Sequence, residues 1–117
     1  MIRIKFILAM FSISLGFSQT KGETFFASND IEYIVTSSTP AEVEAKDYVG
    51  ATTEITIPNT LIHNAVTYRV TSIGVDAFTN NNLTSVEIAS SVTTIGASSF
   101  FDNHLTSISL PDRLTSI

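Results

Sequence analysis

Residue types that could catalyse a reaction or bind a metal are few in this chain of 117 residues. Its two histidines, His63 and His104, lie far apart, and neither belongs to an H-E-x-x-H sequence, which would hold zinc. Serine is abundant, but the chain has no G-x-S-x-G sequence around a nucleophile and no glycine-rich loop for a phosphate. We therefore expect no enzyme, no cofactor and no metal site, and we interpret both histidines as solvated loop residues.

The last part of the chain, residues 70–117, contains one pattern that occurs twice in full. Residues 70–91 read VTSIGVDAFTNNNLTSVEIASS, residues 92–113 read VTTIGASSFFDNHLTSISLPDR, and a third copy starts at residues 114–117. A period of 22 residues with apolar residues in the order L-x-x-V/I-x-I/L predicts a mainly β leucine-rich repeat solenoid, with one short strand and one short helical turn per coil. The matched pairs are Ile73 and Ile95, Gly74 and Gly96, Phe78 and Phe100, Asn81 and Asn103, Leu83 and Leu105, Val86 and Ile108, and Ile88 and Leu110.

Alternation within the strand assigns an inner side and an outer side to each repeat. Val86 and Ile88 have one parity and are predicted to face the core. The residues of the other parity form a possible outward strand face, and they are Ser85 and Glu87 in the first repeat and Ser107 and Ser109 in the second. This face is the candidate surface for a ligand.

Other repeat positions have structural interpretations. Gly74 and Gly96 are placed at a corner, where we expect a backbone angle that other residues adopt only at a cost. Asn81 and Asn103 are predicted to lie near the return loop, where their amides can satisfy loop backbone groups. The alternative for the asparagines is an exposed amide that binds a ligand.

The repeats resemble a known family. The segments LTSVEIASSVTTIGASSF and LTSISLP follow the form L-x-x-I-x-I-P-x-x-V-x-x-I-G-x-x-A-F of the BspA-type leucine-rich repeats of bacterial secreted and surface proteins. The resemblance covers residues 55–117 and reaches more weakly back to residue 31. It implies an exported module for recognition or adhesion, with a host protein, a matrix component or a glycan as its ligand.

The first 18 residues are predicted to be a secretory signal peptide. Arg3 and Lys5 precede an apolar run from Phe6 to Phe17, and small residues precede a cleavage site after Ser18. The run is too short for a membrane span, so we expect no transmembrane segment in the mature chain. Removing all 18 residues leaves four basic residues against 11 acidic ones, a net charge of −7, which disfavours a nucleic-acid partner. The chain has no cysteine, so disulfides cannot contribute to its stability.

The region before the repeats is divided by its pattern into a polar tether and a cap. Residues 19–30 are predicted to be the tether, and residues 31–69 a small N-terminal β cap that includes an antiparallel strand pair and a degenerate first coil. Compared with the later repeats, this coil contains nine additional residues, which we expect to form a hairpin around Asn64 and Ala65. Because the Cβ of Ala65 disfavours positive φ, we predict a loop slightly longer than two residues.

Two functions from different classes remain open. One is the exported recognition or adhesion module, located at the cell surface or secreted. The other is a structural spacer that presents a further domain. The lack of Tyr, Trp and Arg on the outward strand face favours this second function, because these residues dominate binding energies in interfaces. We also expect an incomplete solenoid of marginal stability, with an open apolar edge at Ile108, Leu110, Leu114 and Ile117.

Overall fold

The computed structural model describes residues 20–117, so the predicted signal peptide lies outside the described residues. Within this part the chain is mainly β and contains no helix. The strands are β1 (Thr24–Phe26), β2 (Ile31–Ser38), β3 (Ala41–Tyr48), β4 (Glu54–Ile57), β5 (Thr60–His63), β6 (Val66–Ile73), β7 (Ser85–Ile88), β8 (Thr94–Ile95) and β9 (Ser107–Ser109).

The strands form two sheets. The larger sheet has the order β1-β2-β3-β6-β5, and β8 also pairs with β6. Its first three strands are antiparallel, whereas β3 pairs with β6 in parallel and β6 pairs with β8 in parallel. The smaller sheet consists of β4, β7 and β9, all parallel. The N-terminal strands and the repeats therefore share one sheet.

The two strand pairs of the smaller sheet join residues at different separations along the chain. Val86 pairs with Ile108, 22 positions later, whereas Ile55 pairs with Val86, 31 positions later. The difference is the nine residues that the sequence predicts to be inserted, and they belong to the hairpin of β5 and β6. A parallel strand can skip such an insertion because only the strand residues must keep their register.

The core lies between the two sheets and the turns that connect them. Phe78 is fully buried, and its ring is stacked on that of Phe100 with centroids 5.4 Å apart. Tyr33 is also fully buried, and this desolvation raises the pKa of its hydroxyl, an effect that a hydrogen bond from Asn29 partly offsets. Among the other repeat positions, Ile73, Leu83, Val86, Ile88 and Ile95 are buried, Leu105 is half-buried, and Ile108 and Leu110 are exposed.

The predicted helical turn of each repeat is wrong. Residues 75–80 and 97–100 form consecutive turns, and in the first of these segments the amides alternate between two sets of partners. Ala77 and Thr79 donate to carbonyl oxygens three residues back, which are those of Gly74 and Asp76. The amides in between donate to the next repeat, from Asp76 to Ala97, from Phe78 to Ser99 and from Asn80 to Phe101. Positive φ angles at Asp76 and Asn80, near 61° and 60°, also exclude an α-helix.

The reason predicted for the repeat glycines is also wrong. Neither Gly74 nor Gly96 has a positive φ. Glycine is instead required at residue 96 by close packing, because a Cβ there would lie 2.5 Å from the backbone nitrogen of Val75 and 2.6 Å from the carbonyl carbon of Gly74. At residue 74 a Cβ would lie 2.9 Å from a carboxylate oxygen of Glu44, a flexible side chain. Gly96 therefore lets the backbones of two neighbouring repeats approach each other.

The hairpin between β5 and β6 is tighter than the sequence predicts. His63 pairs with Val66, so the loop contains only Asn64 and Ala65, with φ values of 51° and 65°. Two successive positive φ values define a type I′ turn, whose twist matches that of the strands it joins. The in-register pairing of Thr60–His63 with β6 imposes this turn in spite of the Cβ of Ala65.

Two further features lie at the ends of the described region. The segment expected to be a polar tether, residues 19–30, contains β1, which pairs with β2 and buries Phe25. At the other end, Ile108, Leu110 and Ile117 are 41, 45 and 77% exposed, and they line an open cavity of about 540 Å³. Leu114 is half-buried and packs against the core. The last strand of the smaller sheet, β9, has an unpaired edge among the described residues.

Replacing Ala65 with glycine is expected to stabilise the protein. Glycine adopts positive φ without the steric cost of a Cβ, which is about 1 kcal/mol for an L residue. Chemical denaturation should show an increase of about that size in the free energy of unfolding. The control is Ala51→Gly in an exposed loop where φ is not positive, and it should leave stability unchanged or slightly lower. A loss of stability in Ala65→Gly would contradict the type I′ turn.

Replacing Gly96 with alanine is expected to destabilise the protein by about 1 to 3 kcal/mol, which is typical of overpacking. The added methyl group would meet backbone atoms of the preceding repeat, which cannot move without disturbing the hydrogen bonds between repeats. The same denaturation measurement on Gly22→Ala separates packing from backbone strain, since a Cβ at residue 22 meets nothing within 4 Å although its φ is +95°. An unchanged stability in Gly96→Ala would rule out the close approach of the two repeats.

Candidate functional site

The outer face of the smaller sheet is the candidate surface for a ligand. It consists of two rows of side chains that alternate with the buried residues of the same strands. One row contains Glu54, Ser85 and Ser107, and the other contains Thr56, Glu87 and Ser109. Ser85 is half-buried and the remaining five residues are exposed. We call these six residues the outer face.

The outer face is small, polar and negatively charged. Its carboxylates are Glu54 and Glu87, and neither is in an ion pair among the residues that the structure describes, where the sole salt bridge joins Lys46 and Glu32 at 3.6 Å. Thr56 Oγ1 donates a long hydrogen bond of 3.5 Å to Glu87 Oε1. Two carboxylates beside three serine hydroxyls can accept and donate hydrogen bonds to a polar ligand.

Threonines hold the strands of the outer face in register. The backbone amide and the hydroxyl of Thr84 both donate to the carbonyl oxygen of Thr53, at 2.7 and 3.2 Å. Thr106 repeats the arrangement on the carbonyl oxygen of Thr84, at 3.0 and 3.2 Å. Thr71, Thr93 and Thr115 form an equivalent ladder beside the larger sheet. Sequence reasoning missed these ladders, although the recurrence of threonine every 22 residues is a signal for them.

The repeat asparagines bond to the backbone. Asn103 Oδ1 accepts from the amides of Asn81 and Leu83, at 3.0 and 2.9 Å, and Asn103 Nδ2 donates to the carbonyl oxygen of Phe78 at 2.8 Å. Asn81 Nδ2 donates to the carbonyl oxygen of Thr79 at 3.0 Å. The two side-chain amides do not bond to each other. With its oxygen and nitrogen engaged by the main chain, Asn103 has the geometry of a structural residue.

The two histidines lie in different environments. His104 is exposed, as expected, and its backbone amide donates to the carbonyl oxygen of Leu83. The interpretation of His63 as a loop residue is wrong, because it belongs to β5 and its half-buried ring is stacked on Phe25 with centroids 3.9 Å apart. No group of three potential metal ligands occurs within residues 20–117. In the same range there is no apolar helix long enough to cross a bilayer.

Comparison with known proteins agrees with the repeat geometry. The family model described as BspA type leucine rich repeat region (6 copies) matches residues 48–117, so the match begins before the two full repeats. No curated protein matches.

Solved structures of bacterial leucine-rich repeat proteins are similar to this chain. A leucine-rich repeat protein from Bacteroides capillosus is 25% identical with a TM-score of 0.68, over 78% of this chain and 67% of that one. A leucine rich cell surface protein from Faecalibacterium prausnitzii is 29% identical with a TM-score of 0.65, over 83% of this chain and 26% of that one. A third protein, from Bacteroides ovatus, is 28% identical with a TM-score of 0.63, over 76% of this chain and 24% of that one.

The chain therefore spans about two thirds of the first of these proteins and about a quarter of the other two. The family match covers more than half of the chain, and its bounds include both the smaller sheet and the turns that stack on each other. The chain belongs to the BspA-type leucine-rich repeat family.

Proposed function

We propose that the protein is an exported, non-catalytic recognition module, secreted or held at the cell surface, whose repeats form a solenoid and whose outer face docks a protein or a glycan. The observation that carries this proposal is the contrast between the two sides of the smaller sheet. Ile57 and Val86 are buried on one side, while Thr56, Glu87 and Ser109 are exposed on the other. An exposed sheet face that carries serine hydroxyls, and whose carboxylates form no salt bridge with a described residue, is free to meet a partner.

Two other observations support export and surface location. The N-terminal residues have the charge and hydropathy pattern of a signal peptide. The similar protein from Faecalibacterium prausnitzii is described as a leucine rich cell surface protein. In this proposal residues 31–69 act as the N-terminal cap, because β3 covers β6 of the repeats and shares their sheet.

A structural spacer is the second candidate. The outer face lacks the aromatic and arginine side chains that dominate binding energies in most interfaces. The apolar edge of Ile108, Leu110 and Ile117 has the spacing needed to receive another repeat in register. In a spacer, the outer face would serve only to keep the repeats soluble.

Export is tested by expressing the full chain in a Gram-negative bacterium and identifying the N-terminus of the product by mass spectrometry. We expect the mature chain to begin near Gln19 and to be found outside the inner membrane, because the apolar run is too short to remain as an anchor. Replacing Ile7 with aspartate would interrupt the apolar run and should retain the uncleaved protein in the cytoplasm. A product outside the inner membrane that still contained Phe6 to Phe17 would contradict the predicted cleavage.

Recognition is tested by measuring binding of the purified mature protein to immobilised collagen and fibronectin and to a glycan array. We expect Ser107→Lys, which places a long charged side chain on the outer face, to weaken the observed binding at least tenfold, because it obstructs the row that Ser107 forms with Ser85 and Glu54. Thr67→Lys adds the same charge at another exposed strand residue, on the β5–β6 hairpin, and should leave binding unchanged. Absence of binding to the whole panel, or equal binding by both variants, would favour the spacer.

A further inference from the structure

The only two arginines within residues 20–117, Arg69 and Arg113, line the same cavity. The cavity has a volume of about 320 Å³, and its other lining residues are Asn59, Thr60, Ser90 and Ser91. We call these six residues the basic corner. Its arginines are half of the four basic residues that remain after the predicted signal peptide is removed, in a chain with 11 acidic residues. Positive charge is thus concentrated at one place on an acidic protein.

The 22-residue period brings the arginines together. Arg69, Ser91 and Arg113 occupy equivalent positions of successive repeats, each directly before the apolar residue that opens the next copy. The parallel pairs of Ser72 with Thr94 and of Thr94 with Ser116 show this register three residues further on. Parallel strands lie about 4.8 Å apart, so the backbones of the arginines are separated by about 10 Å, with Ser91 between them. This separation leaves room for one small group between two guanidinium ions.

Neither guanidinium group has a protein partner in the described part of the chain. Arg69 and Arg113 form no salt bridge there, and no hydrogen bond from either side chain is present. Glu42 pairs with Arg69 across β3 and β6, and Asp112 precedes Arg113, but neither carboxylate comes within 4 Å of an arginine nitrogen. Arginine is charged at every physiological pH and presents a planar fork of donors that matches an oxyanion.

The floor of the basic corner is fixed by Asn59. Its Oδ1 accepts from the backbone amide of Ser91 at 3.0 Å and from Ser90 Oγ at 3.4 Å, and its carbonyl oxygen accepts from Ser91 Oγ at 3.3 Å. These bonds leave Asn59 Nδ2 and the hydroxyl of Thr60 without a partner among the described residues. The cavity therefore offers additional polar contacts next to the two positive charges.

We propose that the basic corner binds the carboxylate of an acidic sugar residue in a glycan. The arginine forks would hold the carboxylate, while Asn59 Nδ2 and the hydroxyls of Thr60 and Ser90 would bond to ring hydroxyls. The lining contains no apolar or aromatic side chain that would receive the side chains of a peptide. The net charge of −7 repels a polyanion and favours a ligand with one isolated charge. The inference goes beyond the proposed function, because none of the six residues of the basic corner belongs to the outer face.

The experiment titrates the full mature chain with 3′-sialyllactose and with neutral lactose, followed by NMR. We expect 3′-sialyllactose to shift the side-chain signals of Arg69, Arg113 and Asn59, and lactose to bind at least tenfold more weakly. Arg69→Gln with Arg113→Gln should weaken binding of 3′-sialyllactose at least tenfold. Both arginines are exposed, and the thermal unfolding midpoint of the variant reports that its fold is retained.

The matched control is Lys21→Gln with Lys46→Gln, which removes the same net charge away from the basic corner and should leave binding intact. Equal losses in the two double variants would reduce the effect to general electrostatics and overturn the proposal. Equal binding of lactose, or binding of an acidic peptide of glutamates in preference to 3′-sialyllactose, would overturn it as well. Ser107→Lys in the same titration separates this inference from the proposed outer face, since its binding of 3′-sialyllactose should be unchanged.

Discussion

Backbone hydrogen bonds that pass from each repeat to the equivalent residues of its neighbours hold this structure together. They join the parallel strands, and they continue through the turns, where the amides of Phe78 and Asn80 donate to carbonyl oxygens of the next repeat. At four places a threonine hydroxyl also donates to the carbonyl oxygen that accepts from the backbone amide of the same threonine. The chain has no cysteine, and its described part has no helix, so stability depends on these ladders and on the apolar surface that they enclose.

Stacking in register also determines which side chains meet. A residue lies about 4.8 Å from its counterpart in the neighbouring repeat, so like residues form columns through the molecule. Phe78 and Phe100 stack with an interplanar angle of 9°, and Asn103 reaches the backbone of the turn that contains Asn81. The same spacing excludes a side chain at residue 96, where a Cβ would meet the backbone of Gly74. Arg69, Ser91 and Arg113 form one such column at the surface.

The N-terminal strands are a continuation of the repeats. β3 pairs in parallel with β6, and the amide of Gly74 donates to the carbonyl oxygen of Ala45, as it would to a preceding repeat. β1 and β2 then extend the sheet in antiparallel fashion and bury Phe25 and Tyr33. This arrangement covers the N-terminal edge of the repeat strands in the larger sheet, whereas β4 remains an edge strand of the smaller sheet among the described residues.

The sequence by itself determined the period, the nine-residue insertion and the family, because a residue that recurs every 22 positions takes the same place in each repeat. Whether that place is buried depends on a following repeat, since Val86 is buried and its counterpart Ile108 is exposed. Tertiary structure decided what depends on contact between repeats. The turns are not helical because Asp76, Phe78 and Asn80 find acceptors in the next repeat, and Gly96 is needed for close approach and not for an unusual backbone angle. The strand pairing of β5 with β6 overrides the preference of Ala65, and the pairing of β1 with β2 orders a segment whose composition suggested a tether. Arg69 and Arg113 came together for the same reason, since only stacking converts residues two periods apart into neighbours in space.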